Sequence, residues 1–159
     1  MNCPKIASKI KKIIEHEKIQ VILANKKFQT FEKWFLLVFW ALAIFILSSL
    51  PLNDVFIKFD IWTFIIRKLA HMFEFGVLAF LIYRLLSQIE KKNFYWNLTW
   101  AFIFTVMYAI SDEYHQYIVP GRHGVWTDVL IDSLGAAIAI WLIYLNHQHK
   151  KFLKKKKAK

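Results

Sequence analysis

Glycine, proline and cysteine are scarce in this 159-residue sequence, which holds only 4, 3 and 1 of them. With Cys3 as the only cysteine, no intrachain disulfide can form. So few turn residues suit long spanning elements, which must be helices or closed barrels if they are to satisfy their own backbones in a bilayer. Acids are also few, 11 against 22 lysines and arginines, for a net charge of +11. The first 33 residues lack an apolar core of the signal-peptide kind, so the first apolar run is expected to act as an uncleaved anchor. Neither repeats nor linkers divide the chain, and one domain is expected.

Hydrophobic residues are abundant: 57% of the chain, with 18% aromatic. A soluble domain of this size buries only about 70% of the surface its unfolded chain exposes, too little to hide so much apolar area. A bilayer removes the difficulty. The apolar runs are continuous rather than alternating, which selects helices over strands. Four spans are expected, over about 34–50, 61–86, 94–110 and 128–145, each long enough for ~30 Å of hydrocarbon at ~1.5 Å per residue. The predicted fold is therefore all-α, an integral membrane four-helix bundle. Residues 1–33 form a basic segment, with Ile6, Ile10, Ile13 and Ile14 at amphipathic helical spacing or in a flexible tail, and 147–159 form a lysine-rich tail.

Charge sets the orientation. The first 33 residues carry eight lysines against three glutamates, and the tail has seven lysines and no acid, which leaves −1 for the middle. The link from Arg84 to Asn93 is basic as well, whereas the loops 51–66 and 111–127 are not. Positive-inside bias then puts both termini in the cytoplasm and the two other loops outside an inner (cytoplasmic) membrane. Trp34, Trp96 and Trp100 fall near the inner interface, with Trp62 and Trp126 near the outer one. The basic ends read as retention signals that attract anionic lipid, and not as a nucleic-acid surface.

The spans contain more than an anchor needs. Arg67, His71 and Glu74 follow one helix face at i, i+4 and i+7, with Lys68 beside them. The third span ends in Ser111-Asp112-Glu113-Tyr114-His115-Gln116, where Asp112 and Gln116 share a face, as do Glu113 and Gln116. Pro120-Gly121-Arg122 makes a turn, and Asp128 and Asp132 open the fourth helix at i and i+4. All of these fall at one end of the bundle. Charges at membrane depth are costly unless paired or wet, so a mutually satisfied polar cup is expected. Plainer roles compete: Arg67, Lys68, Asp112 and Asp128 suit interfacial positions, and Asp128 with Thr127 suits an N-cap. Gly135, Ala136 and Ala139 suit close helix packing. A His71-x-x-Glu74 pair occurs once where carboxylate-bridged metal bundles use it twice, and cations crowd the cup, so no metal and no cofactor are expected. A Ser111–His71–Asp112 hydrolase lacks a nucleophile elbow.

These motifs resemble the VanZ-like family, named for an accessory protein of glycopeptide resistance. The resemblance rests on Lys68-Leu69-Ala70-His71-Met72-Phe73-Glu74-Phe75, on Ser111-Asp112-Glu113-Tyr114-His115-Gln116, on Pro120-Gly121-Arg122, and on Asp128 and Asp132 with Gly135. Ser48-Ser49-Leu50-Pro51 at the exit of the first helix also matches, and residues 34–146 are covered. Phe75 replaces a common Tyr, and Asp132 a common Asn, which adds an acid to the cup. The resemblance implies a fold and a site more firmly than a job, although the named member is linked to teicoplanin tolerance. The function expected is binding of an anionic lipid or a lipid-linked cell-wall precursor headgroup by the outward cup, in support of the cell envelope. Arg67, Lys68 and Arg122 would meet phosphate or carboxylate, and His71, Glu74, Asp112 and Glu113 the other polar groups. Two alternatives stand beside it: a membrane hydrolase or transferase using a His–carboxylate pair, and a purely structural bundle. Assembly into an oligomer is left open.

Overall fold

The structure is a computed structural model that describes residues 21, 26–49, 61–89, 93–120 and 124–158. Within these, four helices account for nearly all of the chain: α1, Lys26–Ser49; α2, Ile61–Ile89; α3, Phe94–Ile118; and α4, Trp126–Lys157. The expected amphipathic segment around Ile6–Ile14, the link 51–60 and Arg122 lie outside the described residues.

Local chemistry fixes several helix ends. Asn93 is an extended N-cap whose side-chain oxygen accepts the N–H groups of Tyr95 and Trp96 at 3.0 and 3.3 Å. At the other end of α3, Val119 is extended, as the residue before a proline prefers to be, and the helix stops ahead of Pro120. Helix α3 thus carries Ser111 to Gln116 in its last turns, and the polar loop expected from residue 111 is shortened by two turns. The cap of α4 is Val125, with no side-chain cap bond of its own. Asp128 is therefore not an N-cap, the plainer of the roles open to it. It lies in the first turn, where a carboxylate complements the helix dipole. Helix α1 begins ahead of the expected span, and α4 continues through the lysine-rich tail as one helix of 32 residues.

The helices run alternately up and down. Near the start of α1, Glu32 pairs with Arg84 at 3.6 Å and Lys33 donates to Gln88 Oε1 at 2.9 Å, both late in α2. Ser48, at the end of α1, meets Asp112 near the end of α3, while Lys68, early in α2, meets Asp128 early in α4. Helices α2 and α3 touch each other and both α1 and α4, and α2 against α4 is the most extensive contact. Phe75, Leu78, Ile44, Ala101, Ala109 and Val129 form the buried core.

The bundle is apolar outside and polar within. Phe39, Leu42, Phe73, Met107 and Leu134 are exposed, whereas Ser48, Asn97, Thr105, Asp112 and Asp132 are buried. An apolar exterior this extensive is stable in contact with lipid, not water. Three helices are long and apolar enough to cross a membrane, over Phe28–Ser49, Phe64–Ile89 and Trp126–Lys157. The remaining helix, α3, has 25 residues, and its apolar stretch is diluted by Asn97, Thr99 and Thr105. It packs against α2 and α4 and also touches α1.

Candidate functional site

Alternation of the helices brings the end of α1, the first half of α2, the end of α3 and the start of α4 to one end of the bundle. The lysines of α4 lie at the other end. Two local constructions hold the polar side chains at this end.

The first lies between α1 and α3. Asp112 is 4% exposed, and its Oδ2 accepts both Ser48 Oγ and Gln116 Nε2 at 2.8 Å. Gln116 is one turn beyond Asp112, so the shared helix face makes this contact local. Ser49 donates to the carbonyl of Phe45 at 2.6 Å, the usual back-bond of a helical serine, and its Oγ lies 3.0 Å from His115 Nε2. Tyr108 donates to the carbonyl of Ala41 at 2.7 Å and ties the same helices one turn deeper.

The second lies between α2 and α4, and Gly135 permits it. A Cβ at Gly135 would stand 2.0 Å from the carbonyl oxygen of Met72, a distance no side chain tolerates. The close approach sets His71 Nδ1 3.9 Å from Asp132 Oδ1, with Asp132 only 2% exposed. Lys68 and Asp128 form an ion pair one turn nearer the end. Glu113, on α3, accepts the N–H of Val125, so a carboxylate from a neighbouring helix caps α4 where its own residues do not. The carboxyl of Glu74 is half-buried within electrostatic reach of Asp112, and Trp40 donates to its backbone carbonyl at 3.0 Å.

Asp132 feels Asp112, Asp128, Glu113 and Glu74 together, so five carboxylates share this end. Among the described residues these acids outnumber the two expected cations, Arg67 and Lys68. Lys68 is committed to Asp128, and Arg67 is half-buried without an ion pair among the described residues. One oxygen each of Asp112 and Asp132, the Oδ1 atoms, is buried without a hydrogen-bond partner among the described residues. Buried acceptors at membrane depth are costly to leave unmet, so this arrangement suits a ligand that brings donors. Among the described residues, no three His, Cys, Asp or Glu side chains converge as metal ligands would.

Ser111 stands apart from its neighbours in the motif. It is exposed and lines an apolar groove, while the bonds of Asp112 go to Ser48 and Gln116, so no Ser111–His71–Asp112 relay exists. The residues that sequence reasoning left out of the site are Ser48, Ser49 and His115. Their signal was position: the serines leave the first span at the level where the third turns acidic.

A family model described as VanZ/LLP1 matches residues 11–147. No curated protein and no solved structure matches the chain.

Proposed function

The chain belongs to the VanZ/LLP1 family, and we propose that it is an envelope protein whose polar end faces away from the cytoplasm and binds the headgroup of an anionic lipid or lipid-linked cell-wall precursor. The observation that carries this reading is the pair of buried, donor-poor oxygens on Asp112 and Asp132 inside a lipid-facing bundle. Sugar hydroxyls, amides or amines of a headgroup supply such donors. Arg67, half-buried and without an ion pair among the described residues, supplies the countercharge to phosphate, with Lys68 and Arg122 as its expected helpers. His71, Glu74 and Glu113 then orient the polar groups around it.

Native mass spectrometry of the gently extracted protein tests the reading. A defined anionic lipid should remain bound, and Arg67→Ala, Arg122→Ala and Asp112→Asn should each lower its occupancy about tenfold. Equal occupancy in all four proteins would sink it. The physiological extension, a part in envelope maintenance or glycopeptide tolerance, predicts that loss of the gene lowers teicoplanin tolerance and that the Arg67→Ala protein fails to restore it.

A second reading is favoured by the His71–Asp132 pair, in which a carboxylate beside an imidazole can orient a general acid or base. A hydrolase or transferase at this end predicts turnover of the retained lipid that disappears in His71→Ala while occupancy persists.

A further inference from the structure

On the outer surface of α3, beside the start of α4, lies a groove of about 520 Å³. Met107, Ile110 and Tyr114 line it from α3, Gly124 and Trp126 close it from the other side, and Glu113 reaches its edge. Glu113 joins the groove to the polar end, since its carboxylate accepts the Val125 N–H and lies within electrostatic reach of Lys68, Asp112 and Asp128. We propose that this groove holds a hydrocarbon chain of the lipid whose headgroup occupies the polar end. The ligand is then a whole membrane amphiphile that enters sideways past α3, not a water-soluble molecule that drops in from outside. The inference rests on the headgroup reading above and extends it.

Five observations support a lipid chain as the occupant. The walls are bilayer-facing and apolar, with Met107 59% and Ile110 42% exposed. The groove runs along α3 from Tyr117 to Met107, about 15 Å of helix, so it descends from the polar end into the apolar depth as a chain descends from its headgroup. Its mouth carries Trp126, Tyr114 and Tyr117, whose apolar bodies and polar tips suit the membrane interface. Its back is shaped by Gly124, where a Cβ would stand 2.9 Å from the Glu113 carbonyl and from the Tyr117 Cβ. A volume of this size falls in the ~300–1,000 Å³ range of sites that enclose small ligands. A second groove on α2 and α4, of about 340 Å³, runs past Phe73, Gly76, Gly135 and Leu142 and has no charged residue in its lining. Its upper end, at Leu69, Met72 and Gly135, adjoins the His71–Asp132 pair, but no charged side chain lines it as Glu113 lines the first groove, and it serves as the comparison.

The full-length protein is placed in nanodiscs of dioleoyl phosphatidylglycerol and dioleoyl phosphatidylethanolamine, and the lipid that survives release is counted by native mass spectrometry. One phosphatidylglycerol per chain is expected in the wild type, and the deacylated probe glycerophosphoglycerol should displace it at least 100-fold less well than the intact lipid. Met107→Trp/Ile110→Trp, which fills the groove from exposed positions, should cut occupancy at least tenfold, and the milder Ile110→Ser should move it in the same direction. Leu142→Trp in the comparison groove should change it less than twofold. Unchanged occupancy in both groove variants, or equal competition by glycerophosphoglycerol, overturns the chain site. If occupancy falls with Arg67→Ala but not with the groove variants, the headgroup site stands and the chain site is lost. The reverse pattern keeps the chain site and removes the headgroup reading. A wild type that holds neither lipid overturns both, and a dimer that dissociates when the groove is filled assigns the groove to a second copy.

Discussion

Ser48 and Gln116 both donate to the same oxygen of Asp112, so the cost of each can be measured separately. A hydrogen bond to a charged group contributes about 1.5–3 kcal/mol, and removal of a donor leaves the buried acceptor short. Ser48→Ala should therefore lower the detergent melting temperature clearly, with a loss of roughly 1–3 kcal/mol. Ser49→Ala should matter less, because that hydroxyl already returns to the Phe45 carbonyl on its own helix. Lys68 and Asp128 pose a different case, since their side chains are 24% and 21% exposed and pair across helices. Removal of one partner strands the other charge. Lys68→Met alone should destabilise more than Lys68→Met/Asp128→Asn, and a double-mutant cycle by thermal unfolding should return a coupling of about 1–3 kcal/mol. Additive single effects would show that solvent screening has removed the pair's worth.

Between elements, the approach of α2 and α4 depends on Gly135. Its missing Cβ would stand 2.0 Å from the Met72 carbonyl oxygen and 2.9 Å from the Met72 Cα, both backbone atoms that cannot rotate away. Gly76 faces the same seam with more room, 3.2 Å from the Gly135 carbonyl oxygen. Gly135→Ala should force the helices apart and reduce folded yield severely, while Gly76→Ala should be tolerated or mildly destabilising, as read by size-exclusion chromatography and thermal unfolding. The small residues at 135, 136 and 139 made this seam legible in the sequence. Helix ends were less legible. Ser111-Asp112-Glu113 looks like the start of a loop by polarity, yet the helix continues to Ile118 because Ser48, Gln116 and the Val125 N–H donate to those carboxylates. Asp128 looks like a cap beside Thr127, yet Lys68 draws it into an ion pair and Glu113 takes the capping role from another helix. Apart from Gln116, one turn from Asp112, these partners come from other parts of the chain, and no local pattern marks them.

For the whole molecule, alternation is the property that periodicity and charge make readable. Apolar runs separated by short polar links must reverse direction, and reversal alone puts residues 67–74, 111–116 and 128–132 at one end. What alternation leaves open is the side of the membrane on which that end lies. The lysines of α4 and the start of α1 occupy the opposite end of the bundle, and the positive-inside rule favours the cytoplasm for them. Because Cys3 is the only cysteine, a Cys3→Ser background gives a clean labelling test. Ile118→Cys, at an exposed position ending α3, should react with an impermeant maleimide in intact cells. Lys157→Cys, at the end of α4, should react only after permeabilisation. The opposite pattern would turn the five carboxylates toward the cytoplasm, and the proposed ligand would then have to come from the inner leaflet.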